Sequence, residues 1–180
     1  KCPTLEKIVL FDGEQVGTIS YAFLVSAEPL KEVGFDTSPK DTGFMLYTSG
    51  TTGLPKGIVH SNQWLIGTGD PIGKLVLKLC PEDLCWHLAE FSFMYSWGHG
   101  LMYPLYCGVP IFISPLRTKP EDAFKVIAEN GITVFSTVPT AYRMMLAVDG
   151  AETRNDLSCL RVCDSSGETL PPETYREWKK

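Results

Sequence analysis

From residue 111 to residue 163 the chain alternates between two hydrophobic periods, and that alternation leaves few folds open. Ile111-Phe112-Ile113 is a short, wholly apolar run ended by Pro115, the pattern of a strand buried on both faces. Pro120 stands where a first helical turn begins, and Ala123, Phe124, Ile127 and Ala128 follow at helical spacing on one face. Asn130-Gly131 stops that helix, because glycine takes up the left-handed backbone of a helix end without steric cost. Ile132–Val138 is a β-branched strand, Pro139 opens a second helix through Met145, and Leu160-Arg161-Val162-Cys163 is a further strand. Strand, helix, strand, helix, strand predicts an α/β fold, a largely parallel sheet flanked by helices.

The N-terminal half is less regular. Ile8–Phe11 reads as a strand stopped by the Asp12-Gly13 turn, and residues 32–42 read as a connection. Phe44-Met45-Leu46-Tyr47 is an apolar strand, expected in the same sheet, and Ile58-Val59-His60 resumes an extended pattern. Ser61 is placed to cap a helix over Trp64 and Leu65, with Gly67, Gly69 and Pro71 expected to interrupt it. Asp70 is expected to be a turn residue there.

Composition narrows the function classes. At 180 residues, 44% hydrophobic and 21% charged, the chain can bury one sizeable core and is not a disordered sequence. Its net charge of −5 offers no basic footprint for nucleic acid, so an anionic ligand has to be held by local donors. No uncharged apolar stretch is long enough for a membrane span. The six cysteines show no C-x2-C spacing, and His60, His87 and His99 complete no zinc set. Cys80, Cys85, Cys159 and Cys163 are expected to be small core residues, and the setting a reducing, cytoplasmic one.

Residues 47–57 carry the most chemistry. Directly after an apolar strand, these eleven positions hold three glycines, three threonines, a serine and a lysine. Glycines let the backbone approach an anion and aim N–H groups at it, hydroxyls add donors, and an ammonium adds charge. The register is not that of the common nucleotide loop: counting from Gly50, the second glycine falls on Pro55, and Gly57 follows Lys56 instead of Ser or Thr. With so little apolar anchoring, residues 48–56 are expected to be exposed and mobile without a ligand.

Tyr47-Thr48-Ser49-Gly50-Thr51-Thr52-Gly53-Leu54-Pro55-Lys56-Gly57 resembles the signature of the adenylate-forming superfamily: acyl-CoA synthetases, luciferases and the adenylation domains of peptide synthetases. Two further stretches are similar to the same family. Val138-Pro139-Thr140-Ala141-Tyr142-Arg143-Met144-Met145-Leu146 resembles its strand-to-helix passage in medium-chain and aryl acyl-CoA synthetases. Leu160–Pro171 resembles a strand followed by a Ser-Gly-Glu turn that lies beside adenine, here Ser165-Ser166-Gly167-Glu168.

Residues 89–105 take the place of the family's acyl-pocket segment. Counting back from Pro104-Leu105, the position where many members carry a histidine falls on Phe93, and His99 lies too far along to inherit that role. Phe93, Tyr95, Trp97 and Gly98 are candidates for the acid pocket, with Phe91 beside them; aromatics this dense also fit a plain core. Thr68-Gly69-Asp70 spells the family's ribose-binding triplet but stands far N-terminal to the turn, so Asp70 takes no such role.

The resemblance implies ATP, Mg2+ and coenzyme A as cofactors and a small carboxylic acid as substrate. Thr48, Ser49, Gly50, Thr51, Thr52, Gly53, Leu54, Pro55 and Lys56 would grip the β- and γ-phosphates. Ser165, Ser166, Gly167 and Glu168 would flank the base. The family's Tyr-Gly-x-Thr-Glu segment, ribose aspartate and lysine-bearing mobile domain do not occur in these 180 residues. Residues 1–180 are therefore expected to form one partial adenylation subdomain of an acyl-CoA ligase, with no catalytic residue, no metal ligand and no turnover of their own. Two other readings stay open: a non-catalytic nucleotide-binding module, and an adenylating enzyme with a different acceptor.

Overall fold

The computed structural model describes residues 3–29, 34, 36–48, 53–114 and 118–180. The chain divides into two compact units, Lys1–Thr37 and Ser38–Lys180. In the first, β1 (Val9–Leu10) pairs in parallel with β2 (Ile19–Ser20), and Gly13 turns the chain between them at φ +81°. Helix α1 (Tyr21–Val25) starts where the Ser20 hydroxyl accepts the Phe23 N–H at 3.2 Å, satisfying one of the unpaired donors of its first turn.

The second unit opens with an antiparallel hairpin, β3 (Thr42–Thr48) against β4 (Lys56–Ser61), in register from Phe44↔His60 to Thr48↔Lys56. The strand over Phe44–Tyr47 therefore forms as expected and runs into the glycine-rich segment, but outside the parallel sheet. A Cβ on Gly57 would come within 2.7 Å of the Met45 sulfur across the hairpin, so any larger residue here would push aside the end of that flexible side chain.

Helix α2 (Trp64–Thr68) follows, with Gln63 and not Ser61 at its N-cap. Gly67, Gly69 and Pro71 do not break it. The chain winds on as a wide π-helical segment, Gly69–Val76, that includes Asp70. Packing explains the continuation, because the Tyr106 ring lies over Gly69 and the Cys107 sulfur over Gly73, each where a Cβ would stand. Asp70 is exposed there, paired with Lys74 at 2.6 Å and accepting the Tyr106 hydroxyl at 3.1 Å.

Strand β5 (Cys85–His87) leads to α3 (Met94–Trp97), a second π-helical turn (Gly98–Met102) and α4 (Tyr103–Cys107), which ends at left-handed Gly108. The strand expected over Ile111–Ile113 shrinks to one parallel bridge, Cys85↔Ile111, and Ile113 is 57% exposed. Cys85 N–H donates to the Pro110 carbonyl at 3.1 Å and Phe112 N–H donates back to the Cys85 carbonyl at 2.8 Å, and this single bridge is all that forms.

The remaining elements match the alternation closely. A 3-10 turn (Pro120–Asp122) enters α5 (Ala123–Asn130), which closes at left-handed Gly131; β6 (Val134–Thr137) enters α6 (Pro139–Leu146). Then come α7 (Ala151–Arg154), β7 (Val162–Ser165) and α8 (Pro172–Trp178). Strands β5, β6 and β7 form a parallel sheet in that order, each joined to the next by a crossover that carries helices.

Ala123, Phe124 and Ile127 of α5 bury their shared face against Trp86, Ile132, Phe135, Tyr142 and Met145. Trp178 closes this core, stacked on Phe124 with ring centres 5.5 Å apart. The five cysteines among the described residues are free, and burial pushes the Cys85 thiol up to about 12. No helix among the described residues is long and apolar enough to cross a membrane.

Candidate functional site at the carboxyl ends of the parallel strands

Open parallel sheets bind ligands beyond the carboxyl ends of their strands, where backbone polarity and the loops converge. Here those ends are His87, Thr137 and Ser165, with Ser136 and Asp164 one residue earlier in β6 and β7. Asp164 is the centre of the group. The Tyr95 hydroxyl donates to its Oδ2 at 2.7 Å, the Ser136 hydroxyl donates to Oδ1, and the Tyr142 hydroxyl donates to its carbonyl at 2.9 Å. His99 Nε2 stands 3.6 Å from Oδ2.

Tyr95 is held edge-on between two imidazoles, with ring centres 4.6 Å from both His87 and His99. The α3–α4 run comes this close to β5 because Gly100 has no Cβ, which would otherwise meet the His87 Cβ at 2.6 Å. Gly98 is buried against the Tyr103 ring for a similar reason.

Burial sets the charge states. It holds His87 down at about 4, assisted by repulsion from His99. Burial also lowers His99, opposed by the charge of Asp164, and burial with that same charge raises the Tyr95 hydroxyl. Ala89 N–H donates to His87 Nδ1 at 3.0 Å, so the neutral ring carries its proton on Nε2. That nitrogen, Thr137 Oγ1 and Ser165 Oγ are buried without a hydrogen-bond partner among the described residues.

The turn singled out in the sequence lies at the same edge. Ser165 ends β7, Gly167 turns at φ +87°, and Glu168 accepts the Thr140 hydroxyl at 2.9 Å. Arg143 in turn donates to Thr140 Oγ1 at 3.0 Å, so the turn is tied to the first turns of α6. Of the glycine-rich segment, Thr48 and Lys56 face each other at the open end of the hairpin, and Gly53, Leu54, Pro55 and Lys56 are exposed. Ser49, Gly50, Thr51 and Thr52 lie outside the described residues. Among those described, no hydrogen bond or ion pair joins this segment to the Ser165–Glu168 turn.

The pocket candidates separate, because successive residues on a helix point about 100° apart. Trp97 lines a cavity of about 230 Å³ with Phe44, Met45, Leu46, Phe91, Ser92 and Met94. Tyr95 faces Asp164 instead, and Phe93, the residue preceding α3, is 65% exposed. Asp164, Ser136, Thr137, Thr140, His87 and His99 were not singled out as site residues from the sequence. The available signal was position: apart from Thr140 and His99, each stands in the last two residues of a parallel strand.

Residues 3–180 match the family described as AMP-binding enzyme. The benzoate–CoA ligase of Thauera aromatica is 35% identical over 99% of this chain and 33% of its own length. The acetyl-coenzyme A synthetase of Bacillus subtilis strain 168 is 34% identical over 98% of this chain and 31% of its own. The chain thus spans about a third of the curated relatives it matches. A crystal structure of an anthranilate CoA ligase in complex with anthranoyl-AMP superposes with a TM-score of 0.87 at 31% identity, over 98% of this chain and 34% of that one. By sequence over nearly its whole length, and by fold, this chain belongs to the AMP-binding enzyme family.

Proposed function

We propose that the protein is an acid–thiol ligase that activates a carboxylic acid as its acyl-adenylate and passes the acyl group to coenzyme A. The carrying observation is the likeness, over 98% of the chain, to a ligase solved with an acyl-AMP. In the first step a carboxylate oxygen attacks the α-phosphorus of ATP and pyrophosphate leaves. In the second the coenzyme A sulfur attacks the acyl carbonyl and AMP leaves.

Within this scheme Thr48–Lys56 bind the departing phosphates: small residues admit them, and the Lys56 ammonium balances charge that spreads in the transition state. Ser165–Glu168 flank the adenine, where Gly167 lets a flat base lie against the backbone. Trp97 and its neighbours supply an apolar wall for the acyl part. Mg2+ belongs to the scheme by family resemblance, but no group of three or more His, Cys, Asp or Glu among the described residues is arranged to hold a metal. No step is assigned to it here.

The test is ATP–pyrophosphate exchange on the full-length protein over a panel of carboxylic acids, followed by addition of coenzyme A. Acid-dependent exchange with thioester formation is expected. Absence of exchange with every acid refutes the reading, and exchange without a thioester points to another acceptor.

A further inference from the structure

The ligase scheme gives no task to the carboxylate at the centre of the strand-end cluster. Asp164 immediately precedes the Ser165–Glu168 turn in the chain, and its Oδ2 is held by Tyr95, from the stretch that carries Trp97 and the apolar cavity. It therefore bridges the two stretches that the ligase reading assigns to adenine and to the acid. We propose that Asp164 is a specificity-determining residue, and that the acid this protein activates carries a hydrogen-bond donor, an amine or a hydroxyl, on its acyl part. This rests on the ligase reading and names the substrate class for it.

Three observations support the assignment. A carboxylate offers about four lone-pair positions. Tyr95 and Ser136 occupy one each, and His99 at 3.6 Å is beyond hydrogen-bonding range. The side chain is 21% exposed, so a ligand has access to the remaining positions.

The second observation is charge. Among the described residues no lysine or arginine pairs with Asp164; the groups that face it are Tyr95, His99 and Ser136. Burial keeps His99 below its ordinary value, which leaves the imidazole uncharged near neutral pH and the carboxylate without a compensating cation. An amine would supply one, and a hydroxyl would supply a proton.

The third is the state of the neighbours. His87 Nε2 and His99 Nδ1, on the two imidazoles that flank Tyr95, are buried without a hydrogen-bond partner among the described residues. Unpaired buried polar atoms are rare in folded proteins, and a cluster of them beside a carboxylate is matched by a polar ligand. A purely apolar acyl group placed here would strip water from Asp164 and return nothing. A site built to bond a substrate OH or NH rejects the analogue lacking it far more strongly than an apolar pocket rejects a missing methylene.

The experiment compares matched acids on the full-length protein by acid-dependent pyrophosphate exchange. Benzoate is set against its amino- and hydroxy-substituted forms, and hexanoate against 6-aminohexanoate and 6-hydroxyhexanoate. The best donor-bearing acid is expected to exceed its unsubstituted parent in kcat/KM by about tenfold or more. In Asp164→Leu that ratio is expected to collapse toward one. In Asp164→Asn, which keeps an acceptor oxygen but no charge, preference for an amine is expected to fall while preference for a hydroxyl survives.

Wild-type protein that uses unsubstituted acids as well as their donor-bearing partners overturns the inference, as does Asp164→Leu lowering both members of a pair by the same factor. The wild-type comparison decides alone if the variants do not fold. Exchange with no acid at all overturns the ligase reading itself, whereas exchange without donor preference overturns this inference only.

Discussion

The opposite, amino-terminal edge of the parallel sheet offers a sharp test of how the fold is held. Asp83 precedes β5, Thr133 precedes β6 and Arg161 precedes β7, and these three side chains are joined. Asp83 is 3% exposed; its Oδ1 accepts the Thr133 hydroxyl at 2.8 Å and Arg161 Nε at 3.0 Å, and its Oδ2 accepts the Cys80 N–H at 2.9 Å. Burial alone would push this carboxyl up, but Arg161, the Cys80 N–H and Thr133 overcome it and hold it down at about 2.

A carboxyl held about two units below its unfolded value contributes roughly 2–3 kcal/mol to stability near neutral pH. The sign follows from the depressed value. The contribution is fully present above the unfolded carboxyl's pKa, about 4, and is lost as pH falls through the folded value, about 2. Asp83→Asn keeps the shape and removes the charge, so it should cost about 2–3 kcal/mol at pH 7. The penalty stays below that of a fully buried broken pair because the Arg161 side chain is partly exposed and water can solvate it. Urea unfolding followed by tryptophan fluorescence, on wild type and Asp83→Asn from pH 7 to pH 2, measures this directly. The gap between the two proteins should hold constant down to about pH 4 and narrow below it. A gap that is absent at pH 7, or that widens on acidification, refutes the argument.

Other outcomes follow from the same structure. Lys56→Ala should lower the kcat/KM for ATP in the exchange assay by about 10- to 100-fold, the worth of one charge-assisted contact, and should leave the melting temperature unchanged because Lys56 is exposed. Gly100→Ala should destabilise the protein by about 1–3 kcal/mol in denaturant titration, since its new Cβ meets the rigid His87 Cβ at 2.6 Å. Phe135→Ala, at a fully buried ring on the central strand, should cost about 3–5 kcal/mol in the same titration.

What the sequence determined by itself was whatever short-range chemistry decides. Pro139 opens α6, Asn130-Gly131 ends α5, and Ala123, Phe124 and Ile127 face the core, because caps and hydrophobic period act within a few residues. Strand β7 was legible too, displaced by two residues, since strand ends depend on the partner's length. The chemistry of residues 47–57 was readable for the same local reason: a glycine, a hydroxyl and an ammonium have their properties wherever they stand.

The tertiary structure decided the rest. Nothing local states that the strand before the glycine-rich segment pairs antiparallel with the strand after it, apart from the parallel sheet. Gly69 and Pro71 forecast a break, yet the helix widens and continues because Tyr106 and Cys107, from a later helix, pack over its glycines. The Asp164 cluster was hidden most completely: Ser136 lies 28 residues away in sequence and Tyr95 lies 69 away. A half-buried carboxylate is held in place only where distant donors converge on it, and that convergence exists only once β6, β7 and the helix from Met94 have packed together.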